Sequence, residues 1–303
     1  MAHEMTWQRH TEGEAQTGAC VLLAVRERVG SDIVWRAREL ANLLDLPLSI
    51  VRVIESDAHA SWRMFQTRLL ARFVEVARSS THEYQVLLGE DFDHDRLSIR
   101  VGGFAEEVEL HAEQVSADSI VVPTGQLTGA QVTALARATR RSVWVVHPQR
   151  GESSTIVAAT DLASRDYPVL ESAGLLSERL HVPLIAVHHA PRSLIARAMS
   201  ALRDGRRALR EARLRKIELE QIRAGLGAAG AVLLRENDCA SAIIAQANRA
   251  GADTIVVGTH VRRPVARVVH RSVAVTIVNR AGRSVLVLPV DIGSSQASSD
   301  GLS

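Results

Sequence analysis

The residues best placed to do chemistry lie between Gly251 and Val290. Gly258, Thr259 and His260 follow the apolar run Thr254-Ile255-Val256-Val257, and Val261 opens a loop that carries Arg262, Arg263, Arg267, His270 and Arg271 ahead of Ser272 and Val273. A glycine after a buried strand lets backbone approach an anion, and a helix starting nearby aims N–H groups at it. Guanidinium groups hold phosphate through bidentate hydrogen bonds. The pattern therefore suggests phosphate chemistry, set against a plainer reading of the arginines as a solvated basic face, which we favour. His188-His189 closes an earlier apolar run and could touch a base or a metal, but a pair without a third ligand reads as structural. Cys239 opens a helical stretch, where a thiolate can be stabilised. No base or resolving cysteine stands near it, so a packed thiol is expected there, and a core thiol at Cys20.

Several elements must position these groups. Short apolar runs at Cys20–Val25, Leu48–Ile54, Ser119–Val122 and Ser142–Val146 alternate with helical spacing over 32–44, about 60–77, 105–114 and 131–138. Glu83–Leu88 and Arg96–Val101 both read as strands, either as a hairpin or with only the second in the sheet. After a polar linker near 148–153, the order returns. The strands are 155–159, 184–188, 231–234, 254–257 and 284–288, the last stopping at Pro289. The helices are about 167–180, an Arg-rich stretch of 192–226, 239–250 and 272–279. Strand–helix alternation with near-continuous apolar strands predicts an α/β fold of two doubly wound, five-stranded parallel sheets in tandem. The expected divisions are a flexible arm (1–18), a first domain (19–148), a second (154–290) and a disordered tail (291–303).

The halves are copies. Ala117-Asp118-Ser119-Ile120-Val121-Val122-Pro123-Thr124 matches Ala252-Asp253-Thr254-Ile255-Val256-Val257-Gly258-Thr259, and Arg141–Val146 matches Arg283–Leu288. Val21 pairs with Ile156, Arg26 with Asp161 and Pro123 with Gly258 at an offset of 135, which becomes 142 after the fourth strand. The first copy is thus shorter by seven residues between its last two strands.

These residues resemble two universal stress protein domains in tandem. In that family, an Asp after the first strand holds the adenosine end of ATP, and G-x-x-G, nine residues, then G-[S/T] wraps the ribose and phosphates. The resemblance implies strand order 3-2-1-4-5, a crevice between strands one and four, and pairing of the domains through their last strands, with a homodimer as a further option. Carried over, it places a vestigial nucleotide site at Asp161, His189, Gly258, Thr259, His260, Val261, Arg271, Ser272 and Val273. Val261 and Arg271 stand where the family has glycine, and each puts a Cβ where backbone should meet phosphate. In the first half Arg26 replaces the Asp and Pro123 the first glycine, so no ATP site is expected there. The resemblance requires no cofactor and allows ATP, with Mg, at the second domain. It implies a non-enzymatic stress-response or regulatory protein. An ATP/AMP-binding switch or weak ATPase and a protein-interaction scaffold are the alternatives.

Bulk properties exclude other classes. The 303 residues carry a net charge of +2 and 3% aromatics, too little of either for nucleic-acid binding. Lys216 is the only lysine among 36 basic residues, which we read as coding bias. No apolar run spans a bilayer, and the basic amphipathic stretch 200–226 is diluted by Glu211, Glu218 and Glu220, so no membrane partner is expected. The polar N-terminal stretch has no apolar signal region, and two cysteines form no disulfide framework; a cytoplasmic protein is expected. Walker, dinucleotide-binding and nucleophile-elbow motifs are missing from the sequence, which favours a non-enzyme with a small-molecule or protein partner.

Overall fold

The computed structural model describes residues 19–55, 62–89, 92–148, 155–160, 162, 168–189, 213–214, 217, 220–221, 224, 228–234, 238–260 and 272–290. The arm 1–18, the tail 291–303, most of the linker and most of the Arg-rich stretch 192–226 lie outside them, as do Asp161, Val261 and Arg271.

In the first half the order is β1 (Cys20–Val25), α1 (Ser31–Leu44), β2 (Leu48–Ile54), α2 (Trp62–Leu88), β3 (Leu97–Val101), α3 (Phe104–Gln114), β4 (Ala117–Pro123), α4 (Gly129–Thr139) and β5 (Ser142–Val146). The second half follows with β6 (Ile156–Thr160), α5 (Pro168–Leu180), β7 (Leu184–His189), β8 (Gly230–Leu234), α6 (Cys239–Arg249), β9 (Thr254–His260), α7 (Val273–Arg280) and β10 (Ser284–Val290). The strands form one sheet in the order β3-β2-β1-β4-β5-β10-β9-β6-β7-β8. Each half has the expected 3-2-1-4-5 order, and all neighbours are parallel except the central seam. There β10 runs antiparallel to β5, with Val285, Leu286 and Val287 opposite Val145, Trp144 and Val143.

Both faces of the sheet are covered, which is why its strands are apolar on alternate and intervening positions alike. Val21, Leu23 and Val25 pack with α1, α2 and α5 on one face. Leu22 and Ala24 pack with α3, α4, α6 and α7 on the other. The copies also keep a polar contact: the Arg141 guanidinium donates to the Ala117 carbonyl, and Arg283 donates to Ala252.

Three sequence expectations are corrected. Glu83–Leu88 is no strand but the last turns of α2; only Leu97–Val101 joins the sheet, beside β2. The buried residues Ser80, Tyr84 and Leu88 recur every four positions, the period of a helix lying on β2. β9 does not stop before Gly258 but runs on to His260, paired to β10 alone beyond Val257. β10 likewise passes through Pro289. Its β5 partners end at Val143 opposite Val287, so the missing N–H of Pro289 faces no β5 acceptor.

Candidate functional site

In each half the first and fourth strands part near their carboxyl ends, and the opening between them is where ligands of open α/β sheets bind. In the second half β6 and β9 pair as far as Ala159 beside Val257. In the first, β1 and β4 pair as far as Leu23 beside Val121.

The first crevice is closed by the protein itself. The short segment after β4 turns at Gly125 (φ 82°) and brings Gln126 across the gap, where its side-chain carbonyl accepts a 3.0 Å bond from the Arg26 N–H. Leu127, next in the chain, is buried in the core. Arg26 stacks 4.7 Å above the Phe104 ring and pairs with Glu55 at 3.4 Å. The residue at the family's Asp position is therefore tied down by an aromatic ring and a carboxylate. Sequence reasoning missed Gln126 and Phe104. The available signal was the shortened loop, which leaves Gln126 only three residues beyond Pro123.

In the second half Gly258, Thr259 and His260 all lie on β9. Gly258 is partly exposed, but the side where a Cβ would stand is filled: a Cβ built there would lie 2.9 Å from Val290 Cγ2 and 3.0 Å from Val169 Cγ2. Thr259 is buried, and His260 is half-buried. Val273 starts α7 and packs on the core. Ser272 is the exposed N-cap of α7, and its hydroxyl makes no capping bond, so the first-turn N–H groups are not covered by it. His189 ends β7, one strand beyond β6.

Thr160, the last residue of β6, organises the near wall. Its hydroxyl accepts the Leu162 N–H at 3.1 Å, and its carbonyl lies 2.9 Å from His188 Nδ1. A carbonyl only accepts, so Nδ1 carries the proton, which fixes the tautomer and gives His188 a structural role. Leu162 holds φ 54°, costly for a branched side chain by roughly 1–3 kcal/mol. Its counterpart Glu27 does not adopt that conformation. The β2 position matching His188 in register is Arg52, beside Val25. Arg52 is buried, donates to the Ser80 hydroxyl at 2.8 Å, and lies 3.8 Å from Glu83, which also meets Arg28 at 3.4 Å. A basic side chain thus occupies the same buried position in both halves.

On the far side Asp238 caps α6, accepting from Ser241 N at 2.9 Å. The Ser241 side chain and N–H, with help from Arg280 and His189, hold its carboxyl below the usual range. Cys239 takes the place of Phe104. Burial, then the Asp238 charge, pushes its thiol up to about 11, so it is protonated at neutral pH. Burial also raises the Cys20 thiol. Both agree with inert cysteines. Among the described residues no cluster of His, Cys, Asp and Glu could hold a metal, and no helix is long and apolar enough to cross a membrane.

The fold is thus a doubly wound, Rossmann-like α/β sheet, duplicated. Residues 152–289, nearly all of the second half, match the model of the Universal stress protein family. Three solved structures match most of the chain. A functionally unknown protein from Pseudomonas aeruginosa is 15% identical with a TM-score of 0.58, covering 91% of this chain and 95% of its own. A universal stress protein from Archaeoglobus fulgidus is 11% identical with a TM-score of 0.57, covering 89% and 96%. A second Pseudomonas aeruginosa protein, a putative universal stress protein, is 15% identical with a TM-score of 0.57, covering 90% and 94%. At such identities these structures speak to fold alone. No curated protein matches the sequence.

Proposed function

We propose that this chain is a non-enzymatic stress-response or regulatory protein of the cytoplasm, a tandem of two universal stress protein domains with little or no affinity for ATP. The observation that carries this reading is the packing around Gly258. The one glycine kept from the family's G-x-x-G pattern is explained by Val169 and Val290 pressed against it, so its survival is no sign of a working phosphate loop. The Gln126 bond across the first crevice supports the same reading for the first half. Val261 and Arg271 each cost backbone contacts to phosphate, worth about 1.5–3 kcal/mol per hydrogen bond to a charged acceptor.

Two further readings have support of their own. The family match over 152–289 includes the whole loop region, which favours an ATP/AMP-binding switch, with Mg, in the second domain. Trp35, Val86 and Leu175 expose 61%, 69% and 57% of their surface, apolar area that a scaffold with a protein partner could use.

Calorimetry with ATP and Mg separates these readings. The native chain should bind at about millimolar strength or weaker, since Arg side chains must give up rotamer freedom to replace glycine backbone. Val261→Gly with Arg271→Gly should tighten binding if Asp161 still holds adenosine. Micromolar binding by the native chain, lost on Arg271→Ala, would show a working site in which arginine has replaced glycine.

A further inference from the structure

Helix α4 of the first half and helix α7 of the second pack together across the seam. They meet at Gly129, the first residue of α4. Its N–H donates a 2.7 Å bond to Asn279 Oδ1 in the last turn of α7. A Cβ at Gly129 would overlap the Val275 carbonyl oxygen in the first turn of α7. One residue therefore touches two successive turns of α7. The local cap of α4 is already complete: Thr128 Oγ1 accepts from Gln131 N and the Gln131 side chain accepts from Thr128 N. Asn279 serves a different orphan donor, the N–H of Gly129, which no residue of its own helix could reach.

This contact follows from the shortened loop. With seven residues fewer after β4, α4 starts at Gly129, the counterpart of Arg271, and reaches the seam. α7 starts at Val273, directly after the N-cap Ser272. From this arrangement we propose that the first half, its own crevice closed, serves as a positioning element for the second: Gly129 and Asn279 hold α7, and with it Ser272, in place. The inference rests on reading the Ser272 end of α7 as part of the second half's site.

Hydrogen exchange on the full, ligand-free chain tests it without any nucleotide, so its outcome is independent of ATP affinity. The Thr276 N–H, bonded to Ser272 O at 3.1 Å, reports on the first turn of α7. In Asn279→Ala, Thr276 exchange should rise about tenfold while Val256 in β9 keeps its protection. Asn279→Asp keeps an acceptor and should restore protection. Gly129→Ala, which forces Val275 aside, should give the same local pattern; if that variant does not fold, the two Asn279 variants carry the test. Unchanged Thr276 exchange in Asn279→Ala, an equal loss at Val256, or failure of Asn279→Asp to restore protection would each overturn the proposal.

Discussion

At the scale of single residues, two glycines of the candidate loops meet protein rather than open space. Gly258 and Gly129 could each be taken for remnants of phosphate-binding backbone. One admits Val169 and Val290, and the other admits the backbone of α7. For Gly258 this can be measured. Its backbone is not in the left-handed region, so any penalty for Gly258→Ala comes from overpacking alone, about 1–3 kcal/mol. Chemical denaturation should show that loss. Val169→Ala in the same chain should recover part of it, because the Cβ at 258 then gains the space left by Val169 Cγ2. If Gly258→Ala is neutral, packing does not account for the glycine, and the phosphate reading regains its strongest support. The sequence offers the nine candidate site residues as a motif, but the packing around Gly258 and the Gln126 contact leave no mark in it. The Gln126 contact joins positions 100 residues apart, and no local pattern predicts a bond at that separation.

At the scale of elements, the strands were legible because burial on both faces writes them as apolar runs. The correspondence of the two halves was legible because the chain repeats. Errors fell where propensity and burial disagree. Tyr84-Gln85-Val86-Leu87-Leu88 carries strand-prone residues, yet it lies against β2 as a helix, and tertiary packing decides such cases. Pro289 was taken as a stop because proline donates no backbone bond, but that rule holds only where an acceptor waits. The same strand supplies the test. Val287 is fully buried and has a partner on each side, Val143 of β5 and Val257 of β9. Val287→Pro removes a donor from a central strand, where proline is essentially not found. The thermal midpoint of the whole chain should fall, and both halves should melt earlier together. Loss confined to the second half would mean that the seam does not couple the halves.

At the scale of the whole molecule, the seam joins the two copies into one ten-stranded sheet and removes an apolar edge from each. Contacts beyond the strands hold it. Besides Gly129 with Asn279, the Ser284 hydroxyl accepts the His147 N–H at 3.2 Å, and Arg179 reaches the Leu43 carbonyl at 2.5 Å. Trp144, Val145, Leu286 and Val287 are buried and lie on the two strands that pair at the seam. Residues 19–148 and 154–290 expressed separately should therefore expose β5 and β10. Each should self-associate or aggregate alone, and the two should form a one-to-one complex when produced together. Sedimentation of each half and of the mixture gives the answer. Two soluble monomers that ignore each other would mean that each half satisfies its own last strand. The seam would then be an incidental contact, and α4 could not position α7 across it.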